Sequence, residues 1–211
     1  GQDSAVDGFD SNPGCFSLVN CWNVAMSGKG GGSSASFDAD ANVYTDGDAE
    51  SGNSIAYSNS MGGVSFKVTR GMESTTTDPV MSYAAKTSIM GASIAAGVSQ
   101  IDYKSSATAD KDPSFVTVGY SIAGLNLGYA LYDADNGSEE TTMGVGTSVA
   151  GLDVGVQFAE RDFTTDTDYM RVSVNKGMGA ASFGIDYTEK DEAGGSTNDT
   201  DTWTLNYVVG F

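Results

Sequence analysis

Apolar residues alternate with small or polar ones through much of the chain. "LNLGYALY", "LDVGVQF", "YMRVSVN", "ASFGIDY" and "WTLNYVV" each repeat with period two, the signature of strands with two unlike faces. In "LDVGVQF", Leu152, Val154, Val156 and Phe158 share one face, and Asp153, Gly155 and Gln157 the other. In the last segment Trp203, Leu205, Tyr207, Val209 and Phe211 oppose Thr202, Thr204, Asn206 and Gly210. The pattern predicts strands at 54–61, 63–71, 79–89, 91–103, 114–123, 125–134, 141–150, 152–161, 168–177, 180–190 and 201–211, with a twelfth over 34–44. Residues 1–33 form a separate N-terminal region, readable as one more strand before a glycine-rich turn or as a loop tied by its cysteines; 34–211 form the meander.

The connections are of two kinds that take turns. "SMGG", "MGA", "AG" and "GMG" are short and uncharged, whereas "MESTTTDP", "KSSATADKDP", "DADNGSEE", "ERDFTTDTD" and "EKDEAGGSTNDTD" are long and mostly acidic. Strict short-long alternation fits an up-and-down meander better than a Greek-key sandwich. A meander must then pair or close its edges. Strands of about 9 to 11 residues suit a tilted crossing of a bilayer, where only closure satisfies every backbone hydrogen bond. The predicted fold is therefore all-β: an antiparallel up-and-down transmembrane barrel with about 12 strands visible.

Composition narrows the function. The 211 residues suit one β domain, and no composition break marks a linker. The formal charge of -18, with no histidine, argues against nucleic acid as a partner. No run approaches the roughly 20 apolar residues of a membrane helix, and the first residues do not read as a signal peptide, so a mature form or a fragment is expected. Cys15 and Cys21, in "GCFSLVNC", most simply form a disulfide in an oxidising compartment; a reduced pair or half of a metal site is the other reading.

The meander, the repeated "xAGLxxGxxx" hairpins at 122–131 and 149–158 and the terminal Phe211 together resemble a Gram-negative outer-membrane porin of the general-diffusion type. The resemblance spans about 34–211. It implies a bacterial outer-membrane location, contact with outer-membrane lipid, and a homotrimer. It also implies a last strand read by the barrel-assembly machinery through Trp203, Leu205, Tyr207, Val209 and Phe211. Family barrels of this type have about sixteen strands, and one inward loop narrows the pore. The favoured expectation is thus a C-terminal portion of a longer porin, with a compact barrel as the alternative.

For a passive pore the chemistry lies in lumen-facing charge, because lipid-facing charge costs about 2 to 4 kcal/mol at the bilayer midplane. Alternation turns Lys67, Lys86, Arg171 and Asn175 inward, as part of a basic wall or as isolated wetted residues. Asp38 and Asp40 also face inward if 34–44 is a strand. Arg70 and Arg161 read as loop anchors paired with local carboxylates. "DADANVYTDGDAE" begins like a calcium loop, but Val43 stands at the position that needs glycine, so no dedicated metal site is expected; loosely bound calcium among the acidic loops is compatible with the sequence. No cofactor is implied. Without histidine or a nucleophile elbow, an enzyme is not expected. The leading expectation is a water-filled outer-membrane channel for small hydrophilic solutes and ions with a cation preference. The alternative is a soluble extracellular calcium-binding surface or filament protein.

Overall fold

The structure is a computed structural model and describes residues 54–209, apart from positions 74, 76–77, 134, 136, 138, 163–165 and 194–198 in the longer loops. The N-terminal region 1–33, the twelfth strand at 34–44, Cys15, Cys21, Asp38, Asp40 and Phe211 lie outside the described residues. Within them the chain is all-β, with eleven antiparallel strands in one sheet ordered as in the sequence. These are β1 (Ser54–Met61), β2 (Val64–Gly71), β3 (Met81–Ile89), β4 (Ala92–Gln100), β5 (Ser114–Ile122), β6 (Leu125–Asp133), β7 (Glu139–Val149), β8 (Leu152–Asp162), β9 (Thr167–Met178), β10 (Ala181–Glu192) and β11 (Thr200–Val209).

Predicted and observed strands agree to within three residues at each end, and the exception at that limit has a physical cause. β4 stops at Gln100 instead of running to 103, because Ile101 leaves the ladder to make an isolated bridge with Lys111 across its own loop. All the short turns lie at one end of the sheet. Four are two-residue hairpins with both central residues at positive φ: Gly62–Gly63, Met90–Gly91, Ala123–Gly124 and Ala150–Gly151. That geometry matches the twist of the flanking strands, and it explains why glycine recurs at the second position. Two of these turns are clamped from the next hairpin. Thr87 Oγ1 donates to the Gly63 carbonyl at 3.1 Å, and Thr147 Oγ1 donates to that of Gly124 at 2.9 Å.

The two faces of the sheet differ in burial as well as in chemistry. The face bearing Thr69, Ser82, Thr117, Thr142, Arg171 and Asp186 is buried, while the face bearing Ile55, Tyr129, Phe158, Trp203 and Leu205 is exposed. This is the reverse of a soluble domain, which hides its oil and shows its polar groups. Among the described residues, β1 and β11 are the edges of the sheet and do not pair with each other.

Candidate pore wall

The polar face is most densely furnished on β7 to β11. Arg171, 2% exposed, lies in register between Gln157 on β8 and Thr188 on β10, and its Nε donates to Thr188 Oγ1 at 3.2 Å. Asp186 stands diagonally from Arg171, opposite Ser173, and accepts a 2.7 Å hydrogen bond from Asn206 Nδ2 on β11. Farther toward the long loops, Arg161 Nε and Glu140 Oε2 face each other at 3.8 Å in directly paired positions of β8 and β7. Buried charges of both signs thus lie on the same wall as hydroxyls and amides, the arrangement that a charge removed from bulk water requires. Thr142 Oγ1 and both side-chain polar atoms of Asn175 have no hydrogen-bond partner among the described residues, which suits a face whose remaining bonds go to water.

Of the residues expected to face inward, Lys67, Lys86, Arg171 and Asn175 lie on this face, in two environments, while Asp38 and Asp40 lie outside the described residues. Arg171 and Asn175 are buried in the packed sector. Lys67 on β2 is half-buried and Lys86 on β3 is exposed; Lys67 pairs with Ala84 and Lys86 with Ser65, so the two cations are diagonal neighbours. Sequence reasoning put Gln157 and Asn206 on the polar faces of their strands without singling them out as members of the wall, and it missed Glu140 and Asp186. Alternation within β8, β10 and β11 carries the signal for three of the four. Glu140 was hidden because the predicted strand began one residue after it. Arg161 does pair with a local carboxylate, but within the buried wall and not in a loop. Arg70, expected to be paired, has no carboxylate partner among the described residues.

The rim at the long-loop end is acidic but locally tied. Lys104 Nζ lies 2.6 Å from Glu73 Oε1, joining the loop after β2 to the loop after β4, and the Asp78 amide donates to the Asp102 carbonyl at 2.9 Å across the same gap. The hydrogen bond from Lys104, followed by its charge, holds the Glu73 carboxyl below its ordinary pKa. Asp166 behaves oppositely. Its hydrogen bond with Asp162 and the repulsion from that carboxylate raise it.

A wall of this kind, polar within, apolar without, and linked by tight turns at one end and acidic loops at the other, is what a channel through oil requires. The profile of the Gram-negative porin family matches residues 1–208, nearly the whole chain. The chain belongs to the Gram-negative porin family. No curated protein matches it. As a porin it is a bacterial outer-membrane channel protein, and its eleven described strands are transmembrane strands of an up-and-down barrel. The exposed apolar face of the porin is accordingly its lipid face. Trp203, Leu205 and Tyr207, at 72%, 70% and 66% exposure, lie on that face of β11.

Proposed function

We propose that this porin is a passive, non-enzymatic channel for small hydrophilic solutes and ions, with a cation preference set at its acidic mouth more than along its strands. The observation that carries this reading is the one-sided chemistry of the sheet: buried hydroxyls, amides and opposed charges on one face, exposed aliphatic and aromatic side chains on the other. The strand wall itself offers Lys67, Lys86, Arg161 and Arg171 against Glu140, Asp153 and Asp186, so it favours neither sign strongly. The loops are where carboxylates outnumber cations, and a ring of carboxylates raises the local cation concentration.

Lys67 and Lys86 are the pore-lining residues that solutes meet, because they lie in the open sector. Arg171 and Asn175 act as a packed polar layer behind the path. Passive diffusion needs no cofactor. Assembly as a homotrimer, and recognition of the last strand through Trp203, Leu205, Tyr207, Val209 and Phe211 by the barrel-assembly machinery, belong to the same reading. Two measurements on reconstituted protein test it together. Liposomes should swell in small sugars and progressively less in larger ones, and the reversal potential in a potassium chloride gradient should have the sign of potassium selectivity. Swelling without size dependence, or a chloride-selective potential, would count against it.

A further inference from the structure

On the lipid face of β2 to β5, Phe66, Tyr83, Val98 and Val116 border a groove of about 580 Å³ over the directly paired Ala85 and Ala96. Its size falls within the range of sites that hold small ligands. The groove does not lead through the wall. Phe115 on the inner face packs over Gly97 so closely that a Cβ there would stand 2.3 Å from its ring. At the long-loop end of the same face, Arg70 is exposed, in register with Met81, which in turn pairs with Gln100. Arg70 lies two residues beyond Val68, about 7 Å along the strand. An arginine reaches that far, laying its methylenes on apolar wall while the guanidinium meets the headgroup layer.

On β8 to β11 the rim of the lipid face has the opposite charge. At the long-loop end of the lipid face, Glu160 on β8, Asp168 on β9 and Asp191 on β10 are directly opposite one another, and Glu189 on β10 faces Asp201 on β11. An anionic headgroup is repelled there and attracted at Arg70, where a guanidinium presents paired donors to phosphate. We propose that the β2–β5 face binds a phosphate-bearing acyl lipid of the outer leaflet, with its chain in the Ala85–Ala96 groove and its phosphate on Arg70.

The test uses the full chain in nanodiscs of phosphatidylcholine carrying a trace of spin-labelled phosphatidic acid, or of spin-labelled phosphatidylcholine with the same chains. The wild type should immobilise phosphatidic acid preferentially. Arg70→Gln should reduce that preference about fivefold, the equivalent of about 1 kcal/mol for one basic residue near a membrane surface, while Arg70→Lys keeps most of it. Ala96→Phe, which fills the groove, should abolish the preference and leave only the boundary-lipid immobilisation that both lipids share; if that variant fails to insert, the surface change Arg70→Gln still decides. Equal immobilisation of the two lipids by the wild type, or an unchanged preference in Arg70→Gln, would overturn the proposal. Displacement of the label by inorganic phosphate alone would also overturn it, because the groove would then contribute nothing. Conductance of the same variants in planar bilayers separates this outcome from any failure of the channel reading, since Arg70 faces away from the lumen.

Discussion

Lys86 and Arg171 illustrate how much a residue's role depends on what surrounds it. Both lie on the polar face, but Lys86 is open to solvent and Arg171 is packed against Thr188. Lys86→Glu is expected to shift the reversal potential further toward cations with little change in stability, because an exposed charge is readily exchanged. Asn206→Ala is expected to cost about 1 to 3 kcal/mol in denaturant unfolding, because it withdraws a donor from the buried Asp186 carboxylate. At the rim, the lowered pKa of Glu73 means that its link to Lys104 contributes fully above the ordinary glutamate value of 4.5 and is lost as the pH falls through the lowered one. The protection of the Asp78 amide, relative to the intrinsic exchange rate at each pH, should therefore fall on acidification past that point, and Glu73→Gln should remove that fall. Orientation at this scale was legible in the sequence: Lys67, Lys86, Arg171 and Asn175 fall on the predicted face. Burial was not, because alternation tells which face a side chain joins and not how closely the next strand's side chains approach it. That is why Asp186 and Asn206, 20 residues apart on neighbouring strands, went unnoticed as partners.

The hairpins are the most legible elements, since four of the two-residue turns hold positive φ at both positions with glycine at the second, and the fifth, Gly179–Ala180, writes glycine at the first, where its φ is positive. Gly124 has open space around it, so a methyl group would meet nothing, yet its φ of 82° is unfavourable to any side chain. Gly124→Ala is expected to destabilise the barrel by about 1 to 2 kcal/mol through backbone strain alone, while Ala123→Asn should be neutral or stabilising. Urea unfolding in detergent micelles measures both. Strand ends were less legible where a loop makes its own contacts, as the Ile101–Lys111 bridge does beyond β4. On β8 to β10 the row Glu160, Asp168 and Asp191 opposes like charges across two strand pairs, an arrangement that costs stability. Asp168→Asn should raise the unfolding midpoint. A fall would mean that the row is bridged by something it binds.

For the whole molecule, the sequence presents a conflict between a charge of -18 and a large exposed apolar surface. The fold resolves it by position. Carboxylates gather in the long loops and along the outer rim, opposed charges face one another on the inner wall, and the apolar side chains form the band between rim and short turns. The same separation makes the protein a porin and not a soluble acidic domain, because in water that band would be a site of aggregation and in lipid it is the required surface. Up-and-down topology was legible from loop lengths alone. The charge polarity of the outer wall, with Arg70 on one side and the acidic row on the other, was not, since it emerges only when strands distant in sequence are set side by side. The most direct test of the central claim is current through a planar bilayer after addition of purified protein. Discrete, stepwise increases that scale with salt concentration are predicted. A protein that inserts and keeps its β-sheet spectrum, yet gives no conductance steps, would contradict it.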